Sequence, residues 1–577
     1  MVAAWPGQPP SGGIPGGWPP PSRGERPCGP RVMTDSQSDR PPLGGTVRSI
    51  PVRRLAGPLA AVLVALLLTG SGAPPRAPSP ADALSADLDR LLADPRLSGA
   101  EVSALVTDAA TGEVLYQHAP GALLLPASTL KTVTAAAALD LLGQDHRFTT
   151  QVLAAGPRTG ATLGGDLVLR GGGDPSLLPA DLEALAGQVA DAGITEVSGA
   201  VLADASRYDD VPLGASWAWD DQAAYYSPQI SALTLTTDGD DDVGTVRLAL
   251  TPDASPGGPA AVRVIPPEAP VRVTGRVDTG AAGSDTTVQA DRRPGGNEIV
   301  LSGSLPAGSA ETDAWVAVDG PARLAATVFA AALARHGVAV RGGLREGPAP
   351  ADAVALAAHD SAPLSALLVP FLKLSNNGIA EHLVKEIGRV RSGAGSWAAG
   401  LDLVRDFVHR NGLESTPARQ VDGSGLSRQD LLTTSRLDAL LRFARRQPWF
   451  SAWYDALPVA GDPRRMVGGT LTNRLRGTPA EGRVHAKTGS MTGVDALAGY
   501  LDRADGRTLA FSVLLNNFVG VSPRPVIDAF VVRLTSDSAS AAAPAAPAPD
   551  TAGRRSSHDW EAAQGGDQLS GRRASSQ

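Results

Sequence analysis

The middle of this chain does not share the texture of its two flanks. From residue 149 to 354, short runs such as GDLVLRG, GTVRLALT, VRVTGRV and NEIVLSG recur between Gly, Asp and Pro punctuation. Short, alternating, β-branched runs with such punctuation read as strands. One helix interrupts them, PARLAATVFAAALARHG, with Pro321 at its first position, where a missing N–H costs nothing. Both flanks read differently. ADALSADLDRLLADP carries Leu84, Leu88, Leu91 and Leu92 at helical spacing. AEVSALVTDAATGEVLYQHAP reads as a hairpin around Ala-Thr-Gly. Helices return from about residue 355, and the end, GRVHAKTGSMTGVDALAGYLDRADGRTLAFSVLLNNF, reads as three strands with a turn at 502–507. The pattern predicts an α+β domain from residues 80–148 and 355–535, interrupted by a β-rich insert over 149–354.

The ends cannot join that core. Residues 1–50 are rich in Pro, Gly and Ser and read as a disordered extension. Arg48, Arg53 and Arg54 then precede an apolar run over residues 55–68. A charged segment, a short apolar run and small residues make an export signal. The run is short of the roughly 20 residues of a stable span. We therefore read 51–79 as export signal and linker, the product being secreted or anchored through residues 55–69, with Met33 as an alternative start. The lone cysteine, Cys28, precedes this run, so the exported part is expected to lack disulfides. Residues 536–577 read as a disordered tail. The net charge of -8 argues against a nucleic-acid partner.

Lysine is the informative residue. The chain has 51 basic residues, yet only Lys131, Lys373, Lys385 and Lys487 are lysines. Lys131 sits in PASTLKTVTAAAALDLLG, an apolar helix pattern opening at Pro126. Arginine stays charged, whereas a desolvated lysine can become a neutral base. Ser128 lies three residues earlier, on the same helical face, near an N-terminus that favours developing negative charge. A nucleophile beside its base is one reading; a lysine snorkelling to solvent is the other.

Two further segments bear on this. KLSNNGIAEHL places Ser375, Asn376 and Asn377 ahead of a helix, where such residues also serve as caps. GRVHAKTGSM places Lys487, Thr488 and Gly489 on a strand, with Lys487 and Thr488 on opposite faces and Gly489 free for close approach. LVLRGGGDPSLLPADLEAL mimics a dinucleotide fingerprint, but Pro175 breaks the turn. The histidines show no metal spacing, and no cofactor or catalytic metal is expected. His485 reads as a spectator.

S-x-x-K, S-x-N and K-T-G in this order resemble the penicillin-binding protein and serine β-lactamase signature. The long insert and VDGSGLSR, residues 421–428, narrow the resemblance to the D-alanyl-D-alanine carboxypeptidase/endopeptidase family, peptidase family S13. It implies a helical cluster beside an antiparallel sheet, and a peptidoglycan stem peptide ending in D-Ala-D-Ala as substrate. It also implies β-lactams as inhibitors. Ser128 would be the nucleophile and Lys131 its base. Ser375 would relay a proton to the leaving nitrogen, and Asn377 would hold the substrate amide. Lys487 would supply positive charge, Thr488 would bind the substrate carboxylate, and Gly489 would allow close approach. The N–H groups of Ser128 and Ser490 would form the oxyanion hole. For a side chain of diaminopimelyl type, Asp221 and Tyr226 would face the amine and Arg428 the carboxylate, with Met491 and Thr492 as wall. A β-lactamase is the alternative with the same acylation step; the insert argues against it. A non-catalytic wall-binding protein is the other alternative, against which the intact motifs argue.

Overall fold

The structure is a computed structural model that describes residues 80–414 and 416–536. The extension, the export segment and the tail expected from sequence lie outside those residues.

The two flanks of the described chain meet in one antiparallel sheet. Its strands are β1 (Glu101–Asp108), β2 (Val114–His118), β3 (Val484–Met491), β4 (Val494–Asp502) and β5 (Thr508–Asn516), in the order β2-β1-β5-β4-β3. β1 pairs with β5 from Glu101↔Asn516 to Asp108↔Leu509, so an early hairpin and a late meander close together. β4 is buried on both faces, and alternation explains how. Ala496, Ala498 and Tyr500 join one core with Phe371, Ile379, Phe407 and Trp453. Leu497 and Leu501 join another with Leu84, Leu88, Phe511 and Phe530. A strand buried on both sides needs apolar residues at both parities.

Helices α1 (Pro80–Leu92), α2 (Lys131–Leu142), α3 (Pro179–Asp191), α4 (Pro321–Arg335), α5 (Leu364–Lys373), α6 (Asn377–Ser392), α7 (Trp397–Arg410) and α8 (Thr434–Ala444) complete the framework. α2 is central. Ala135 to Ala138 are all fully buried, and a helix apolar on every side belongs inside.

The middle of the chain leaves and rejoins through two adjacent strands. Thr149–Ala155 pairs antiparallel with Val354–Asp360, Thr149 opposite Asp360 and Ala154 opposite Val354. Those strands belong to a second five-stranded sheet, on which α3 and α4 pack through Leu182, Leu185, Leu324 and Phe329. Smaller sheets follow, including Ala261–Ile265, Thr245–Thr251 and Thr312–Ala317.

Two details differ from the sequence reading, and a third gives the physical reason behind it. Helices return after residue 360, because Val354–Asp360 is a largely exposed strand with little alternation to mark it. The helix expected from Pro126 begins as a 3-10 turn, Ala127–Leu130, and becomes α-helical at Lys131. Ala127 there has φ 45°, a left-handed value that no regular helix takes. The glycines of LVLRGGGDPS serve packing: a Cβ on Gly171 would sit 2.2 Å from Ala232 O, and one on Gly172 2.1 Å from Thr149 O.

Candidate active site

The 3-10 turn presents Ser128 and α2 presents Lys131. One turn of helix brings them together, with Lys131 Nζ 2.7 Å from Ser128 Oγ. Nζ also donates to Asn377 Oδ1 at 2.6 Å and to Ser424 O at 2.9 Å. Asn377 is held in turn by its Nδ2, which donates to Tyr226 O at 2.7 Å. Lys131 is fully buried. Burial pulls its amine down to about 7, against the opposing charges of Asp422, Glu381 and Asp430.

The S-x-N segment links α5 to α6. Ser375 turns the chain with φ 62°. Asn376 caps α6 by accepting from Ile379 N at 2.9 Å. The capping role weighed from sequence thus belongs to Asn376, and Asn377 is left to face Lys131.

β3 closes the opposite wall. Lys487 is fully buried, and Nζ donates to Thr488 O at 2.9 Å. Burial, followed by the Lys131 charge, holds its amine well below the ordinary lysine range. Thr488 Oγ1 donates to Thr470 Oγ1 at 2.8 Å. Gly489 lies against the nucleophile turn: a Cβ there would sit 2.7 Å from Pro126 O and 3.1 Å from Ser128 N. β3 is an edge strand. Ala486 N donates outward to Pro458 O at 3.0 Å. Alternation turns the N–H of Ser490, four residues on, toward that same free edge.

A cleft of about 580 Å³ gathers these walls. Ser128, Ser375, Asn377, Thr488, Ser490, Met491, Thr492, Asp221, Tyr226 and Arg428 all line it. Lys131, Lys487 and Gly489 lie beneath its surface. Tyr226 Oη donates to Asp221 Oδ1 at 2.8 Å. Burial raises the Asp221 carboxyl, with Arg428 opposing. Arg428 reaches Thr492 O at 3.3 Å. His485 stacks on Tyr454 with ring centroids 4.2 Å apart.

A buried carboxylate cluster behind Lys131 was not read from sequence. Glu381 accepts from Trp397 Nε1 at 2.7 Å and from Gly423 N and Ser424 N at 2.8 Å each. Asp422 accepts from Gly425 N and Ser427 N at 2.7 Å each. These bonds shape the turn that offers Ser424 O to Lys131. Burial and Asp422 push Glu381 up to about 7 and Asp430 up to about 10. Glu381 lies four residues after Asn377 on α6, and that spacing was the available signal. The two lysines outside the motifs are also buried. Lys373 donates to Leu457 O. Lys385 donates to Asp209 Oδ1 at 2.6 Å and sits 4.0 Å from the Trp397 ring centroid.

The family model for the D-Ala-D-Ala carboxypeptidase 3 (S13) family matches residues 84–537. The D-alanyl-D-alanine carboxypeptidase of Actinomadura sp. (strain R39) is 45% identical over 494 residues, 84% of this chain and 90% of that protein. Carboxypeptidase DacB of Mycolicibacterium smegmatis is 30% identical over 520 residues, 85% of this chain and 96% of that one. Penicillin binding protein 4 (dacB) from Haemophilus influenzae superposes with a TM-score of 0.67 at 25% identity, covering 78% of this chain and 98% of that chain. With one family model spanning nearly all the described residues, the chain belongs to the D-Ala-D-Ala carboxypeptidase 3 (S13) family.

Proposed function

We propose that the protein is an exported serine D-alanyl-D-alanine carboxypeptidase acting on peptidoglycan stem peptides through an acyl-enzyme on Ser128. Endopeptidase cleavage of cross-links is a second use of the same chemistry, and β-lactams acylate the same serine. The observation that carries this reading is the environment of Lys131. A neutral amine has two hydrogens and one lone pair. Asn377 Oδ1 and Ser424 O are acceptors and take the two hydrogens. In that neutral form the lone pair faces Ser128 Oγ, 2.7 Å away; in the ammonium form Nζ donates to the same oxygen.

In the proposed reaction Ser128 Oγ attacks the carbonyl carbon of the penultimate D-alanine while its proton moves to Lys131 Nζ. The N–H groups of Ser128 and Ser490 receive the oxyanion; removing one such donor typically costs about 2.7–4 kcal/mol. The proton passes through Ser375 to the leaving D-alanine nitrogen, and the C–N bond breaks. Water then attacks the ester, giving its proton to Lys131, and Ser128 is released protonated. Asn377 orients Lys131 and holds the substrate amide. Lys487 adds positive charge behind the strand, and Thr488 binds the terminal carboxylate. Asp221, Tyr226, Arg428, Met491 and Thr492 form the side-chain pocket. Residues 80–148 and 361–535 form the peptidase domain, the strand Val354–Asp360 belonging with the insert's sheet, and the insert, through Asp221 and Tyr226, forms part of the pocket wall.

The test is release of D-alanine from an N-acylated peptide ending in D-Ala-D-Ala. The wild-type protein should release it and Ser128→Ala should not. Folded wild-type protein that releases none would overturn the reading.

A further inference from the structure

Arg524 opens the C-terminal helix (Arg524–Arg533) and lines the cleft beside β3. Its Nη2 donates to Ser490 Oγ at 3.2 Å and stands 3.4 Å from Asp495 Oδ1. Its side chain is 35% exposed, whereas that of Asp495 is 4% exposed. Asp495 also accepts from Ser490 Oγ at 2.9 Å and from Ser522 Oγ. A buried carboxylate therefore anchors one edge of a guanidinium that otherwise opens toward the cleft.

Thr488 and Ser490 alternate onto one face of β3, but both hydroxyl protons have partners inside the protein. Thr488 donates to Thr470 and Ser490 to Asp495. Lys487 lies behind the strand with its Nζ bonded to Thr488 O, and it does not line the cleft. An anion arriving at this strand meets a permanent charge only from arginine. Arg465 is paired with Asp240 at 2.7 Å and Arg474 with Asp528 at 2.6 Å. Arg428 reaches past the end of β3 to Thr492. Arg524 alone among these four touches a motif hydroxyl, and Nη2 is one of several donor positions on a fork matched to carboxylate.

We propose that Arg524 reads the free α-carboxylate of the residue leaving from the substrate, joined by Thr488 once its hydroxyl turns from Thr470 to donate. It thereby sets the preference for a carboxylate-ended leaving group. This rests on the D,D-peptidase reading of the cleft.

The experiment compares kcat/KM for two peptides, one ending in D-Ala-D-Ala as the free acid and one as the C-terminal carboxamide. Both are run with wild type, Arg524→Gln and Arg524→Met. The ratio of the two rates within each protein cancels differences in active fraction. Wild type should favour the free acid, and each neutral variant should lose about ten-fold or more of that preference. Equal losses on both peptides, or an unchanged ratio, would overturn the proposal and leave Arg524 as a prop for Ser490. If wild type cleaves neither peptide, the enzymatic reading itself fails, which is a different result.

Discussion

Lys131 Nζ stands 2.7 Å from Ser128 Oγ, with the lysine entirely enclosed by protein. The pair joins a short strained turn to a helix whose Ala135 to Ala138 are fully buried. A base of this kind works only when neutral, and its surroundings push it that way.

The rate of Ser128 acylation should therefore follow the neutral fraction of Lys131. Burial lowers that amine to about 7. Below this value the protonated amine predominates and cannot accept a proton, so the rate should climb about ten-fold per pH unit and level off above it. Stopped-flow acylation by a chromogenic β-lactam, between about pH 5.5 and 8.5, checks this. A flat or falling profile contradicts it.

Gly489→Ala should separate stability from activity. The added Cβ would meet Pro126 O at 2.7 Å and Ser128 N at 3.1 Å, pushing β3 away from the nucleophile. A displacement of order 1 Å at a reacting centre costs about 100-fold. Acylation should fall by that order. Near-normal acylation would show that the strand relaxes elsewhere.

Glu381→Ala leaves three buried N–H donors, of Trp397, Gly423 and Ser424, without their acceptor. Leaving a buried donor without its acceptor costs about 1–3 kcal/mol. Urea unfolding should show a loss of that size, and acylation should fall as Ser424 O leaves Lys131. A loss below about 1 kcal/mol would contradict the account.

All four lysines are at most 2% exposed. An amine-reactive ester should leave Lys131, Lys373, Lys385 and Lys487 of the folded protein unmodified until urea is added. Peptide mapping reads the result; labelling of any lysine in the native state at the unfolded rate contradicts it.

The candidate residues were legible because the chain has only four lysines and two of them, Lys131 and Lys487, sit in short local patterns with a serine or a threonine. Ser128 and Lys131 share a helix face, and the K-T-G strand alternates as any strand must. The two flanks were legible from hydrophobic period, and their closure in one sheet follows from hairpin ends that need partners. What escaped had no local signature. Glu381 bonds to backbone N–H groups of a turn more than 40 residues away. Arg524 reaches Ser490 from a different element. Val354–Asp360 is a strand because Thr149–Ala155 lies beside it, not because of its own sequence. Ala127 takes a left-handed turn that only surrounding contacts impose, among them Gly425, where a Cβ would lie 2.0 Å from Ala127 O.

Intact mass spectrometry of the full chain with benzylpenicillin, sampled from minutes to hours, tests the central claim most directly. The account predicts one persistent adduct, mapped to Ser128 and absent from Ser128→Ala. Folded protein with no adduct, an adduct that survives Ser128→Ala, or rapid turnover with hydrolysed penicillin would contradict it.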